Sequence, residues 1–367
     1  MNQLGDTALR DTAGTVPKTE HAEPAFGWQD RDDLKEPRLR SLIVGLGRAG
    51  AGLHLPVLSR LRDAAPDDVP LAGQPFVGYD PEGVTYGIPA DDLILVDSLA
   101  HARSLLDPES TVVHLCTLPD ARADVLADLA TAGFRQIIVE KPLAAGVHQV
   151  ERIRSLRAKH HLRLQVMAPW LASTLTTRLA NLVRSGELGA LRSISVVQRK
   201  PRFGRSLASV GHPTAFDVEI PHSLAVALRL AGDARVTSAA CTDMGIGEVS
   251  IRWMGTARLT LRHANGTLTE IFSSMVSPSR ERRIAVRFDQ GRAVGYYPES
   301  QADNFAQLRV VRGDKGHSEI FPDDALAAYF HHAYRRFARE EVTDEDFELQ
   351  ARVVRLIADA KELSRIR

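Results

Sequence analysis

Three groups of residues in this sequence have types and spacing that could do chemistry. The first is Gly45-x-Gly47-x-x-Gly50, which follows the apolar run Ser41-Leu42-Ile43-Val44 and opens a helix-like stretch from Ala49 to Leu61. In such a motif the first glycine permits a tight turn, the second lets a pyrophosphate approach the backbone, and the third lets helix and strand pack closely. The helix N-terminus then offers free N–H groups and a positive dipole end to phosphates. Gly45, Leu46, Gly47, Arg48, Ala49 and Gly50 are therefore read as a dinucleotide cradle. Asp80 ends the next apolar run, Pro75–Tyr79, where a carboxylate accepts hydrogen bonds from ribose hydroxyls and repels a 2′-phosphate. Neither Pro81 nor Glu82 supplies a compensating cation, so NAD is expected over NADP. Asp80 lies 30 residues past Gly50, and the Pro/Asp/Gly-rich loop from Asp63 to Gln74 absorbs the extra length.

The second group is Glu140-Lys141-Pro142, directly after the apolar run Gln136–Val139. A lysine at the C-terminal tip of a parallel strand lies where open α/β sheets bind ligands. There it can reach a substrate alcohol and favour the alkoxide formed as hydride leaves. With its pKa lowered by its surroundings, it can also donate a proton to a carbonyl in the reverse direction. The third group is Asp217-Val218-Glu219-Ile220-Pro221-His222, at the start of an amphipathic segment that ends at Gly232. Either Asp217 or Glu219 could hold the His222 imidazole and set its tautomer; Glu219 has the better helical spacing.

The elements that must position these residues alternate strand and helix as far as Met167. Strands are expected near Asp91–Asp97, Thr111–Thr117, Gln136–Val139 and Leu162–Met167. Helices are expected over Ser98–Leu106, Pro119–Ala132 and Val147–His160. This alternation predicts a doubly wound parallel sheet of Rossmann type. After Leu171 and a helix over Thr174–Ser185, strand-like runs dominate: Leu191–Val197, Val236–Cys241, Val249–Met254, Arg258–His263, Leu268–Phe272, Ile284–Phe288, Ala293–Tyr297 and Leu308–Val311. Asn265-Gly266 and Gln290-Gly291 mark hairpin turns. Two helices, near Asp324–Arg339 and Phe347–Arg367, follow, the second with a capping-box-like Thr343-x-x-Asp346. The predicted fold is an α/β Rossmann unit plus an α+β unit with a large, mostly antiparallel open sheet. Residues 1–37 form a flexible extension, 38–170 the nucleotide unit, and 171–367 the substrate and oligomerisation unit, whose last helix could pack back on the first. Apolar residues running along several strands imply a sheet covered on both faces, hence a homodimer or homotetramer.

Taken in order, Gly45-x-Gly47-x-x-Gly50-x-x-x-His54, Cys116-Thr117-Leu118-Pro119 and Glu140-Lys141-Pro142 resemble the glucose–fructose oxidoreductase / inositol dehydrogenase / rhizopine-catabolism (Gfo/Idh/MocA) family. The stretch Leu182–Ile194 looks like that family's linking helix and first C-terminal strand, and the resemblance covers residues 39–367. It implies a catalytic Lys141 followed by a cis proline bond, with Glu140 approaching the nicotinamide side. Cys116 is read as packing or as a backbone contact to cofactor, while Thr117, Leu118 and Pro119 would line it. The resemblance also implies that His222 binds substrate and helps move its proton. The chain departs from the family where Val218 replaces the usual aspartate four residues before the histidine, and at Ala123, where many members carry histidine. The implied activity is hydride transfer between a nicotinamide and the hydroxyl or carbonyl carbon of a polyol-like substrate: a sugar, nucleotide sugar or (amino)cyclitol. Two alternatives stay open, an enzyme that holds NAD through transient oxidation (elimination, epimerisation or glycoside cleavage) and a non-enzymatic NAD-sensing regulator.

Trp170 is placed either as a wall of the pocket or as core. Arg199, Lys200 and Arg202 are read as a solvated edge. Composition narrows the partners: 46 basic and 46 acidic residues give no net charge to attract nucleic acid or an acidic membrane. Two cysteines, Cys116 and Cys241, make neither a disulfide framework nor a cysteine-rich metal site, so no metal and a cytoplasmic setting are expected.

Overall fold

The computed structural model describes residues 36–366 apart from 65–67, 84–91, 209–211 and 301. The expected N-terminal extension lies, up to residue 35, outside the described residues. Glu36 pairs with Arg339 at 2.5 Å.

Six short strands form the first sheet: β1 (Arg40–Val44), β2 (Phe76–Tyr79), β3 (Leu93–Val96), β4 (Thr111–Leu115), β5 (Gln136–Val139) and β6 (Arg163–Val166). They lie in the order β3-β2-β1-β4-β5-β6 with every pairing parallel. β4 and β5 are buried at every residue, as strands covered on both faces must be. Alternate residues serve different layers. Leu42, Val44, Val113 and Leu115 pack with α2 (Leu99–Leu105), α3 (Arg122–Thr131) and α4 (Val147–His160). Ile43, Val112 and Ile138 pack on the other side, against α1 (Leu55–Ala64), the helix that follows β1. The strand order reverses between β1 and β4, so the loops after their C-terminal ends open the crevice in which such sheets bind ligands.

Residues beyond β6 build a second layer. The short helix Pro169–Ala172 and the helix Thr174–Ser185 lead into an eight-stranded sheet. One interior pair, Leu191–Pro201 and Leu268–Ser274, is parallel, and the other pairings are antiparallel. The helix Ile220–Ala231 is buried on almost every side against the inner face of this sheet. The predicted turn at Asn265-Gly266 is made, with Gly266 at φ 88°. The expected run Val249–Met254 is not part of the large sheet: Val249–Ile251 pairs instead with Met244–Ile246 in a separate ribbon. The strand Lys315–Pro322 was not expected; it is mostly exposed and occupies one edge of the sheet.

The expectation of a sheet with continuous apolar strands is also corrected. Its strands alternate, and one register row of the outer face reads Arg258, Phe272, Val197, Arg283, Tyr296, Gln307 and Ile320. Arg258 stacks on Phe272 with its guanidinium 4.4 Å from the ring centre. This face mixes aliphatic, aromatic and cationic side chains, whereas the inner face is buried and mostly apolar, with Gln198, His263, Thr269 and Ser273 among its aliphatic residues.

Two helices close the described chain: Ala325–Ala338 and Asp344–Leu363. The first lays Phe330, Ala333, Tyr334 and Phe337 on one face of the parallel sheet. The second lays Phe347, Ala351 and Val354 on the opposite face and gives Leu349, Val353, Leu356 and Ile357 to the core of the second layer. The capping box expected at its start is not formed. Asp346 accepts from Arg336 and Arg229 instead, and Thr343 accepts from Arg336, so tertiary charge pairing overrides the local motif.

Candidate active site

The glycine motif is built as its spacing requires. Gly45 has φ 93°, and a Cβ there would lie 2.8 Å from the Cys116 carbonyl carbon. A Cβ on Gly50 would overlap the Gly45 carbonyl oxygen, so Gly50 is needed for helix and strand to meet. Over Gly47 nothing lies within 4 Å, which leaves the open approach that a diphosphate needs. The helix starts with a π-type turn over Gly50–His54 before continuing as Leu55–Ala64. Asp80 pins the loop: its Oδ2 accepts from the Leu46 N–H at 2.5 Å and its Oδ1 from the Glu82 N–H at 2.9 Å. Across the crevice, Thr117 Oγ1 is buried without a partner among the described residues, and Leu118 is 60% exposed ahead of the Pro119 turn. The open approach over Gly47, with the Thr117 backbone set against Gly45 and its hydroxyl left without a partner among the described residues, fits a dinucleotide. The residues that would hold it are Gly45–Gly50, Asp80 and Cys116–Pro119. Gly47→Ala should therefore fold with an unchanged Tm yet weaken NADH binding by about tenfold or more, a ~1.4 kcal/mol loss; fluorescence titration beside a thermal melt measures both.

Glu140 and Lys141 leave the tip of β5, and the Lys141–Pro142 bond is cis, as the resemblance implied. The Lys141 ammonium donates to the Val218 carbonyl at 3.3 Å. It borders a narrow cleft lined also by Met167, Trp170, Pro221, His222 and Gln350. The indole of Trp170 stacks on His222 at 5.8 Å between ring centres and on Tyr297 at 4.0 Å. Trp170 is thus both pocket wall and core. Burial lowers the Lys141 pKa below the ordinary lysine value, against the opposing pull of Glu140 and Glu219. Burial, then the charge of Lys141, lowers His222 to about 4, so it is neutral at pH 7.

The carboxylates expected to hold His222 are engaged elsewhere. Asp217 accepts from the Thr214 hydroxyl at 2.7 Å and from the Lys361 ammonium at 2.7 Å. Glu219 forms an ion pair with Lys200. Burial raises the Glu219 pKa, but the charges of Lys200 and His222 outweigh it and hold the carboxyl at about 2. Among the described residues neither acid hydrogen-bonds to His222. Lys200 and Arg202 are likewise not a solvated edge: Lys200 is taken up by Glu219, and Arg202 is 4% exposed.

Sequence reading passed over a buried polar chain beneath Glu140. Glu140 Oε1 accepts from His54 Nε2 at 3.1 Å, and the two Nδ1 atoms of His54 and His114 share a proton at 3.1 Å. His114 Nε2 bonds the Tyr334 hydroxyl at 2.8 Å, which meets Ser41 Oγ at 2.6 Å. The signal available was His114, a polar residue inside the apolar strand Thr111–Leu115. Tyr334, in a late helix, gave none. Burial raises Glu140, but the His54 hydrogen bond and the charges of Lys141 and Arg122 hold it at about 2. Burial and the nearby Glu140 push the Cys116 thiol well up, which removes it as a nucleophile and leaves it a packing residue. Arg122, buried at the start of α3, donates Nε and Nη2 to the Thr117 carbonyl at 3.2 and 3.1 Å and so braces the cofactor loop. No group of metal-ligating side chains occurs among the described residues.

No protein-family model and no curated protein matches the chain by sequence. Solved structures do match in fold. The 3-ketoreductase KijD10 from Actinomadura kijaniata, solved with TDP-benzene and NADP, superposes with a TM-score of 0.68 at 17% identity, covering 88% of this chain and 97% of its own. A protein from Desulfitobacterium hafniense described as an NADPH-dependent oxidoreductase gives 0.71 at 13% identity, with 90% and 96% covered. An NAD-binding oxidoreductase from Klebsiella pneumoniae gives 0.70 at 15%, with 89% and 97% covered. The chain therefore has the two-layer fold of NAD(P)-binding oxidoreductases: a Rossmann unit and a large, mostly antiparallel sheet.

Proposed function

We propose that the chain is an oxidoreductase of the Gfo/Idh/MocA type, with NAD preferred over NADP, acting on the hydroxyl or carbonyl carbon of a sugar, nucleotide sugar or (amino)cyclitol. The observation that carries this reading is the convergence of Lys141, His222 and Trp170 on one cleft at the carboxyl end of the sheet that bears the glycine cradle. The dinucleotide, when bound, supplies the acceptor or donor of hydride. Lys141 moves the hydroxyl proton: as a neutral amine it accepts it, and as an ammonium it stabilises the alkoxide or protonates a carbonyl. His222, neutral and stacked on Trp170, offers a ring nitrogen to the same hydroxyl. The Trp170 indole, stacked on His222 and Tyr297, holds the imidazole in place. Asp80 favours NAD because a carboxylate repels a 2′-phosphate, although the structural relatives include proteins solved with NADP or named for NADPH. The same reading takes residues 38–170 as the cofactor unit and 171–367 as the substrate unit. It also assigns the mixed outer face of the large sheet to a second copy, giving a homodimer or homotetramer.

The test is a screen of NAD and NADP against sugars, cyclitols, aminosugars and nucleotide sugars. One substrate class should give cofactor reduction that Lys141→Ala abolishes. Faster turnover with NADP would remove the NAD preference. Cofactor binding without Lys141-dependent turnover on any class would remove the dehydrogenase.

A further inference from the structure

The last long helix, Asp344–Leu363, runs along the joint of the two layers. Phe347, Ala351 and Val354 face the parallel sheet, while Leu349, Val353 and Ile357 enter the core of the second layer. By helical spacing Gln350 falls on the seam between these two stripes. It is 4% exposed, and it borders the same cleft as Lys141, Trp170 and His222. Its amide makes no hydrogen bond among the described residues. Gln136 and Gln198, also buried, each have an amide oxygen that is sealed off and unpartnered, but neither amide atom of Gln350 is sealed in this way. Both therefore keep an opening, and the cleft is the open space that Gln350 lines. An unpartnered amide between two apolar cores is unfavourable unless an occupant of the cleft completes it.

The chemistry of the cleft restricts that occupant. Among the described residues lining it, Lys141 is the one amine, and no acid is present. His222 is neutral at pH 7. The acids beside these two residues in the chain are taken, Glu140 by His54 and Glu219 by Lys200. An ammonium on the ligand would meet Lys141 with no carboxylate to offset it. A carboxylate would use the N–H side of the amide and leave its oxygen bare. A hydroxyl suits both halves, because it donates to the amide oxygen and accepts from the amide N–H. It suits a neutral imidazole for the same reason.

We infer that Gln350 is a specificity-determining residue whose amide takes a neutral hydroxyl of the substrate, at a carbon other than the one Lys141 serves, so that the cleft selects polyhydroxy rings over their amino counterparts. This rests on the oxidoreductase reading for the role of Lys141, and it narrows the substrate class of that reading.

The experiment is calorimetric titration of the full chain saturated with NADH, at pH 6.5, where the amines are protonated. The probes are matched pairs: D-glucose against D-glucosamine, UDP-glucose against UDP-glucosamine, and myo-inositol against scyllo-inosamine. In a pair that binds, the hydroxyl member should bind about tenfold more tightly. Gln350→Leu keeps the size and adds no polar atom between the cores. It should weaken the hydroxyl member about fivefold for each hydrogen bond lost and remove most of its advantage over the amine. Gln350→Glu, close to the native shape, should move the preference toward the amine by about tenfold, the scale of a charged hydrogen bond. Equal loss for both members, no loss, or a native preference for the amine overturns the proposal, as does a native protein that binds no probe. Turnover is the separate readout. Lys141-dependent turnover in a Gln350→Leu enzyme of native affinity and selectivity overturns the proposal and leaves the oxidoreductase reading standing. Affinity that follows Gln350 in a protein that turns over nothing supports the proposal and sinks that reading.

Discussion

Lys141→Ala should reduce kcat by roughly 10²–10⁴, the range set by losing a positioned general acid–base group. The loss should be in kcat more than in cofactor affinity, because the glycine cradle does not involve the amine. Folding should survive, since the two acids flanking Lys141 keep other partners: Glu140 has His54 and Glu219 has Lys200. The pH profile gives a second signature. Burial lowers the Lys141 pKa, and the amine is neutral above that value. Alcohol oxidation should therefore rise with pH through an inflection below the ordinary lysine range, while carbonyl reduction, which needs the ammonium, falls through it. His222 contributes no inflection near neutrality because it stays uncharged down to about pH 4. A Lys141→Ala enzyme with native kcat and an unaltered profile would remove the lysine from the chemistry.

The largest effect on stability should come from His54→Ala. Glu140 is ionised and 8% exposed, and the His54 ring donates to it at 3.1 Å. Taking the donor from a buried carboxylate costs about 2–4 kcal/mol, a Tm loss of roughly 3–5 °C at the unfolding entropy of a chain this long. The sign of the pH dependence follows from Glu140, whose folded pKa of about 2 lies below its unfolded value. Its contribution is complete above an unfolded pKa of about 4.3 and is lost as pH falls from there toward the folded value. The gap between the two proteins should accordingly be widest near neutrality and narrow in acid. His54→Gln, which keeps a donor, should recover part of the loss. Matching melts for native and His54→Ala protein at pH 7.5 would show that Glu140 needs no such support.

What could be read from the sequence was what depends on near neighbours. Gly45, Gly47 and Gly50 declare themselves because turn, open approach and close packing are properties of consecutive residues. The apolar runs at β1, β4 and β5 declare a parallel sheet because both faces are covered. Lys141 and His222 were legible as the ends of such elements, and the cleft joins them. The partners of the acids were not legible. Asp217 finds Lys361 at the far end of the chain, and Glu219 finds Lys200 on a neighbouring strand, so spacing to His222 carried no information about either. Arg202 looked like one more cation on a polar edge, because burial is a tertiary property. The strand Lys315–Pro322 escaped notice since an exposed edge strand has no buried face to impose alternation.

The two closing helices bear on how the molecule is made. The parallel sheet is finished on one side by Phe330, Tyr334 and Phe337 and on the other by Phe347, Ala351 and Val354. At ribosomal speeds of about 5–20 residues per second, the chain after β6 takes roughly 10–35 s to reach the second of these helices. Early in that interval each face of the nascent nucleotide-binding layer has its first helices but lacks the apolar side chains that the two closing helices add. Completion of the layer beneath the cofactor cradle therefore waits on the last chain to be synthesised.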